Sequence, residues 1–177
     1  FKESDQTTHY SIVDTYGNAV SVTTTLNSSY GSGVVVGSAG FLLNNEMDDF
    51  SSKPGQPNLY GLVGGEANSI QPNKRMLSSM TPTILEKNGQ LFMVVGTPGG
   101  STIITGVLQT ILNVIEYDLS IQDAVSIGRF HHQWRPDEIK IESNKFDSLV
   151  IQQLKQMGHS FKSVNSMNRV DAIVISE

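Results

Sequence analysis

Hydroxyl and carboxylate side chains stand at several places along the chain where they could take part in catalysis. Two adjacent hydroxyl pairs, Thr7-Thr8 and Ser78-Ser79, and an acidic segment that contains Glu46 and Asp49 are the clearest examples. A hydroxyl acts as an acyl-transfer nucleophile when a neighbouring base accepts its proton. Taken alone, Thr7-Thr8 is more typical of a β-strand than of a catalytic site, because threonine favours extended backbone. The chemistry therefore depends on whether the fold brings these groups together.

A glycine pair, Gly99-Gly100, is a further candidate, because it joins a predicted strand to a predicted helix. Backbone N–H groups at the start of a helix point outward and carry the positive end of the helix dipole. A substrate could approach them closely, since glycine has no side chain. The pair could stabilise an oxyanion, and an ordinary strand-to-helix turn is the alternative.

Thr25 and Asn27 lie two positions apart, on the strand predicted to pair with the one that Thr7 leads. If that strand continues, both side chains project from the same face and can face Thr7. The alternative is that both are merely residues at a strand edge.

The candidate metal ligands do not form a recognisable metal site. The segment with Glu46 and Asp49 lacks the spacing of an EF-hand loop, and a turn or helix cap is its simpler interpretation. His131 and His132 are adjacent and so face different ways, and no third His or Cys is placed to complete a zinc site. We therefore expect no metal ion.

A β-hairpin is predicted at the start of the chain, where polar and apolar residues alternate. Residues 8–13 and 19–25 form its two strands, and Gly17 and Asn18 between them suit positive φ angles. This hairpin would place Thr7 at the beginning of a strand.

A second hairpin, followed by a helix, is predicted in the middle of the chain. Residues 83–86 and 90–95 flank Asn88-Gly89, the preferred pair for a type I′ turn. An amphipathic helix then runs from Ser101 to about Tyr117. Its predicted apolar face consists of Ile104, Val107, Leu108, Ile111, Leu112 and Ile115.

The remaining segments are predicted to be loops with a few short elements. Residues 28–74 are rich in Gly, Ser, Asn and Pro, which favours long ordered loops with short strands. Ser120 with Asp123 predicts a helix N-cap, another short helix ends before Gly158, and residues 170–175 suit a last strand. Hairpins with a few helices indicate an α+β fold with antiparallel sheet.

Composition limits the classes of protein to consider. With 177 residues, 38% of them apolar, the chain can bury one core as a single domain, in which we place Phe130 and Trp134. A net charge of -5 without runs of like charge argues against nucleic-acid binding. No stretch approaches the ~18 to 20 apolar residues of a membrane span. The absence of Cys excludes disulfides and a thiol nucleophile.

Several segments, taken in order, resemble the gamma-glutamyltransferases from about Thr7 to Glu142. The matching segments are Thr7-Thr8-His9-Tyr10-Ser11, Thr25-Leu26-Asn27, Leu42 to Phe50, Pro72 to Arg75, Leu77-Ser78-Ser79-Met80, Pro98-Gly99-Gly100-Ser101 and Arg129 to Trp134. The resemblance implies the αββα four-layer sandwich of the N-terminal-nucleophile hydrolases. This chain would supply part of it, without the large-subunit portion and the extreme C-terminus.

The resemblance also implies a role for each candidate. Thr7 would be the nucleophile, Thr25 would support its hydroxyl, and no cofactor would be needed. The amides of Gly99 and Gly100 would form the oxyanion hole. The γ-glutamyl substrate would be bound by Asn27, Glu46, Asp49, Ser78 and Ser79. Carboxylates for its α-ammonium and hydroxyl donors for its α-carboxylate form a complementary pattern.

In the family the nucleophile becomes N-terminal when a precursor cuts itself, which here implies cleavage between Gln6 and Thr7. Residues 1–6 would then end the large subunit, and residues 7–177 would be a truncated small catalytic subunit. The implied partners are that large subunit, glutathione or other γ-glutamyl compounds, and amino-acid or peptide acceptors. A periplasmic or extracellular location follows from the same resemblance.

The sequence departs from the family pattern at three places, which could alter the preference for acceptors and the stability of the protein. Thr102 stands where the family usually has Arg after Gly-Gly-Ser, Thr24 replaces an aromatic residue, and Ile127-Gly128 replaces Ala-Pro. A related acylase or capsule-cleaving amidase of the same superfamily is the nearest alternative function. A non-catalytic fragment is the alternative from another class.

Overall fold

Two β-hairpins and one long helix position the candidate residues. The computed structural model describes residues 7–175. Its elements, in chain order, are β1 (Thr8–Val13), β2 (Ala19–Thr24), β3 (Thr83–Lys87), β4 (Gln90–Gly96), α1 (Ile103–Ile115), α2 (Ile121–Ser126), β5 (Phe130–His131), β6 (Ile139–Glu142), α3 (Ser148–Gln156), β7 (Phe161–Val164) and β8 (Asp171–Val174).

The strands form three small sheets. β1 and β2 pair as an antiparallel hairpin, and β4 lies between β3 and β8 in an antiparallel sheet. In the third sheet, β6 pairs antiparallel with β5 and parallel with β7. Within residues 7–175 no helix has the length and apolar character needed to cross a membrane.

The core lies between β4 and α1. Met93 and Val95 point to one face of β4 and pack against Ile103 and Val107, and all four side chains are buried. Successive strand residues point to opposite faces, so the two apolar positions on β4 that contact the helix are separated by one residue. This packing fixes the start of α1, and with it the glycine pair that precedes the helix.

The hairpin β1–β2 covers the opposite face of β4. At Gly96 a Cβ atom would lie 2.1 Å from Cε1 of the His9 ring, so only glycine leaves room for that ring. Ser21 Oγ also donates to the Val95 carbonyl at 3.2 Å. Helix, sheet and hairpin are therefore successive layers, which agree with the α-β-β part of the expected sandwich.

Most of the predicted elements are confirmed. Asn88 and Gly89 have φ angles of 55° and 78°, as the type I′ turn requires. Ser120 Oγ accepts a hydrogen bond from the Asp123 N–H at 3.1 Å, which is the predicted N-cap. The last strand occupies residues 171–174 within the predicted range. Asn18 is an exception, since Gly17 alone of that pair has positive φ.

The predicted buried face of α1 is wrong in part. The residues of α1 that are buried are Ile103, Gly106, Val107 and Thr110. Four of the residues predicted for the apolar face are exposed, namely Ile104, Leu108, Leu112 and Ile115. The helix docks through small residues that approach the sheet closely, and apolar periodicity alone does not show which stripe makes that contact.

Residues 28–74 form loops with less strand than predicted. They contain three short 3-10 turns, and the bridges Val35–Leu42 and Pro57–Val63 are isolated pairs. These loops form much of the wall of the cavity described next.

Candidate active site

A cavity of about 270 Å³ brings most of the predicted site residues together. The predicted residues that line it are Thr7, Thr25, Asn27, Asp49, Ser78, Ser79 and Gly100. Glu46 and Gly99 are not part of its lining. Glu46 lies near enough to Asp49 to influence its ionisation, and Gly99 directly precedes Gly100.

The Thr7 hydroxyl faces the Thr25 hydroxyl. Thr7 Oγ1 donates to Thr25 Oγ1 at 3.4 Å, and Thr25 Oγ1 also accepts a hydrogen bond from the Asn27 N–H at 2.9 Å. The predicted continuation of the second strand is wrong, because β2 ends at Thr24 and Asn27 has a φ of 74°. The turn at Asn27, not an extended strand, carries both side chains into the cavity.

Asn27 is held by Tyr60, a residue that the sequence did not single out. Only 3% of Asn27 is exposed, and its side-chain N–H2 donates to the Asn45 carbonyl at 3.2 Å. The Tyr60 hydroxyl lies 2.9 Å from both the backbone oxygen and Oδ1 of Asn27. Tyr60 stands in the loop-rich segment, where no periodic pattern marks a residue that folds back on the site.

The acidic segment Glu46–Asp49 forms a 3-10 turn beside the cavity. Burial, followed by the charges of Glu46 and Asp48, raises the pKa of Asp49 to about 6. Burial also raises the pKa of Glu46. Carboxylates whose ionised form is disfavoured in this way are suited to receive a cationic group, because a nearby positive charge stabilises that form.

Ser78 and Ser79 form another part of the wall. Ser78 is exposed and Ser79 is half-buried. Ser78 Oγ accepts a hydrogen bond from the Met80 N–H at 3.2 Å, which leaves its own O–H available as a donor. Both serines line the cavity, so their hydroxyls can bind an anionic group there.

The glycine pair forms a turn with positive φ angles at both residues. Gly99 and Gly100 have φ angles of 145° and 58°, which favour glycine. A Cβ atom on Gly100 would lie 3.0 Å from Cε1 of Tyr60. Within residues 7–175 neither N–H donates to another protein group, so both can bind a developing negative charge.

The expected core positions of Phe130 and Trp134 are wrong. Trp134 is 67% exposed and lines the cavity with Gln133 and Arg135, whose guanidinium lies 4.8 Å from the Trp134 ring centroid. Phe130 is 49% exposed and makes an edge-to-face contact with Phe146. Both residues belong to a short two-residue strand and the loop after it, where burial does not follow from side-chain type.

The two adjacent histidines have separate environments. His131 is buried, its ring nitrogens lie 2.8 Å from Thr105 Oγ1 and 2.9 Å from Gln133 Oε1, and burial lowers its pKa. His132 is exposed and its Nε2 lies 3.1 Å from Asp137 Oδ1. Among the described residues, no group of three or more His, Cys, Asp and Glu could hold a metal ion.

The structure describes only one side of the predicted cleavage position. Thr7 is the first described residue, and residues 1–6, including the Gln6 side of the bond, lie outside the described residues.

Known proteins are similar to this chain in sequence and fold. The family model "Gamma-glutamyltranspeptidase" matches residues 1–177. The glutathione hydrolase proenzyme of Escherichia coli (strain K12) is 53% identical over 173 residues, which are 98% of this chain and 30% of that protein. This chain therefore spans less than a third of the length of that relative.

Two solved structures agree closely with the fold. An acivicin-inhibited gamma-glutamyltranspeptidase is 58% identical with a TM-score of 0.93, covering 96% of this chain and 90% of that one. A variant of the Helicobacter pylori gamma-glutamyltranspeptidase is 59% identical with a TM-score of 0.91, covering 94% and 90%. Because the family model matches the whole sequence and these proteins share more than half of its residues, the chain belongs to the gamma-glutamyltranspeptidase family.

Proposed function

We propose that this chain carries the catalytic site of a γ-glutamyltransferase and glutathione hydrolase, with Thr7 as its nucleophile. The observation that supports this most strongly is the shared cavity, which Thr7, Thr25, Gly100 and Asp49 all line, with the Thr7 hydroxyl donating to that of Thr25. This set contains a nucleophile, an oxyanion donor and a group for the substrate's ammonium.

The reaction is acyl transfer through an ester. Thr7 Oγ attacks the γ-carbonyl carbon of the substrate, and its proton passes to the α-amine of Thr7, which acts as general base once the preceding peptide bond is cut. The amides of Gly99 and Gly100 stabilise the oxyanion. The C–N bond then breaks, and the amine leaves with that proton. Water or the amine of an amino acid or peptide attacks the γ-glutamyl ester and restores the Thr7 hydroxyl.

Recognition of the γ-glutamyl group depends on its zwitterionic end. The Asp49 and Glu46 carboxylates bind the α-ammonium, and the Ser78 and Ser79 hydroxyls donate to the α-carboxylate. Asn27, held by Tyr60, binds the same end of the substrate. Hydrogen bonds with a charged partner are the stronger ones, so these contacts select for the γ-glutamyl group.

The partner in this proposal is a large subunit cut from the same precursor, with residues 1–6 at its end and residues 7–177 in the small subunit. The exposed apolar side chains of α1 support a partner, because large apolar surfaces are usually covered by another protein surface. The periplasmic or extracellular location is part of the same proposal, and the coding sequence upstream tests it by the presence of an export signal.

The experiment uses the full-length precursor that carries this chain. Intact mass should show cleavage between Gln6 and Thr7, and Thr7→Ala should abolish both cleavage and turnover of a γ-glutamyl anilide. Asp49→Ala should reduce turnover far more than cleavage, because the substrate ammonium is absent from maturation. Equal loss of both would show that Asp49 serves folding instead.

Substrate profiling separates this function from that of a related acylase. A glutaryl anilide lacks the α-ammonium that Asp49 would bind, so the proposal predicts turnover at least about tenfold slower than for the γ-glutamyl anilide. Equal or faster turnover of the glutaryl compound would favour the acylase function. No turnover of either compound by the cleaved protein would favour a non-catalytic fragment.

A further inference from the structure

The two peptide units that carry the candidate oxyanion donors are fixed by hydrogen bonds to their carbonyl oxygens. In a planar trans peptide, the N–H and the carbonyl of the preceding residue point in opposite directions. The orientation of the Gly99 N–H is therefore fixed by whatever binds the Pro98 carbonyl. That of the Gly100 N–H is fixed by whatever binds the Gly99 carbonyl.

The Pro98 carbonyl accepts two hydrogen bonds. Thr97 Oγ1 donates at 2.8 Å and Asn168 Nδ2 donates at 3.1 Å. A carbonyl oxygen has two lone pairs, so both are engaged. Thr97 and Pro98 are fully buried, which keeps water from competing for these bonds.

The Gly99 carbonyl is held by Thr102. Thr102 Oγ1 donates to it at 2.8 Å, and the Thr102 N–H donates at 3.2 Å. The same Thr102 hydroxyl accepts the second N–H of the Asn168 amide at 2.9 Å. Thr102 and Asn168 thus join the two carbonyls into one network, in which the side-chain donors are all used.

The fold leaves a slot for the Asn168 amide. A Cβ atom on Gly99 would lie 2.2 Å from Asn168 Nδ2, and one on Gly106 would lie 2.6 Å from Asn168 Oδ1. Asn168 itself has a φ of 64°, a conformation that asparagine tolerates better than most residues. Only the N–H2 end of the amide can face the Pro98 oxygen, because two oxygens would repel each other.

We infer that Thr102 and Asn168 are positioning residues that hold the Gly99 and Gly100 amides in the orientation that binds the oxyanion; this rests on the proposed function. Neither residue lines the cavity. The pair acts on the substrate only through the backbone of the turn.

The test compares isosteric variants of the mature protein made from the full-length precursor. Thr102→Val removes the hydroxyl and keeps the shape, and Asn168→Asp replaces the donor by an acceptor. Each should lower kcat for a γ-glutamyl anilide about 10- to 100-fold with KM within about threefold, since loss of an oxyanion donor costs about 10²- to 10³-fold. Thr102→Ser should restore kcat to within about threefold of the unaltered protein.

A double variant and a control variant in α1 extend the comparison. Thr102→Val with Asn168→Asp should lose less than the product of the single losses, because both changes disrupt one network. Thr110→Val removes a buried hydroxyl within α1. That hydroxyl donates to the Gly106 carbonyl at 2.9 Å and not to the Pro98 or Gly99 carbonyl. That control should keep kcat within about twofold, even if its Tm falls.

The outcomes separate this inference from the proposed function. Turnover by the unaltered protein but not by Thr7→Ala supports the proposed function. If kcat is then unchanged in both Thr102→Val and Asn168→Asp, the positioning role of these two residues is overturned while the proposed function stands. A rise in KM without loss of kcat would also overturn it, as would failure of both variants to give folded, cleaved protein. If the unaltered protein is inactive, both the proposed function and the positioning role are overturned.

Discussion

Asp49 links the proposed chemistry to pH. Its pKa is raised to about 6, chiefly by burial and then by Glu46 and Asp48. Only the ionised form binds the substrate ammonium, so protonation removes binding. We therefore predict that kcat/KM, which reports groups of the free enzyme, falls as pH decreases through about 6 and approaches a tenfold loss per pH unit below that. Steady-state kinetics from pH 4.5 to 8 measure this.

Glu46→Gln is the matched variant for the same measurement. It removes one of the charges that raise the pKa of Asp49, so the acid limb of the profile should move to lower pH. A profile that stays flat down to pH 4.5, or a limb that does not move in this variant, would contradict the role assigned to Asp49.

Some residues of the candidate site could be predicted from the sequence and others could not. Thr7 and the Gly99-Gly100 pair stand in short local motifs, and the structure brings Thr7 and Gly100 to one cavity. Tyr60 and Asn168 form hydrogen bonds with residues that are far away in the sequence. Tyr60 bonds to Asn27, 33 positions away, and Asn168 bonds to Pro98, 70 positions away. Such contacts depend on how loops fold back, which single-sequence patterns do not encode.

At the scale of elements, the contact between β1 and β4 positions the strand that directly follows Thr7. The His9 ring occupies the space beside Gly96, and it also lies 2.7 Å from Thr23 Oγ1 and 3.0 Å from Ser11 Oγ. Burial lowers the pKa of His9, which favours the neutral ring in this place. β1 is thereby fixed against the strand that leads to the glycine turn.

Gly96→Ala should separate these two strands. The added methyl would overlap the His9 ring, and overpacking of this kind costs about 1–3 kcal/mol. We expect the Tm of the mature protein to fall by several degrees and kcat to fall with it, because Thr7 leads the displaced strand. Calorimetry and kinetics on the same sample measure both.

Gly65→Ala is the control for this change. Gly65 has an extended φ of -112°, and nothing lies within 4 Å of an added Cβ atom. A Tm for Gly96→Ala equal to that of the control would show that the strand contact tolerates the methyl group.

Sequence patterns are sufficient to predict some elements but not how they pack. Turn dipeptides such as Asn88-Gly89 fix a hairpin locally, and that hairpin is confirmed. The orientation of α1 depends on which of its small residues approaches the sheet, and Ile104 and Leu108 are exposed despite their apolar periodicity. Docking is a tertiary property, so the helix was predictable and its buried face was not.

At the scale of the whole molecule, the exposed side chains of α1 bear on how this chain works. Ile104, Leu108 and Ile115 leave an apolar stripe in water, which the proposed large subunit would cover. We predict that residues 7–177 produced alone self-associate and have kcat/KM at least about tenfold below that of the cleaved full-length protein, because the apolar stripe that the proposed large subunit would cover is left in water. Sedimentation and kinetics test this, and a monomeric piece with equal activity would refute the need for that partner.

The most direct test of the account is the identity of the acylated residue. Cleaved full-length protein is mixed with a γ-glutamyl anilide, quenched in acid within the first turnover, digested and mapped by mass spectrometry. We predict an added γ-glutamyl group on the peptide that begins with Thr7, with the ester on the Thr7 oxygen, and no adduct in Thr7→Ala. An adduct on any other residue, or turnover by Thr7→Ala, would contradict it.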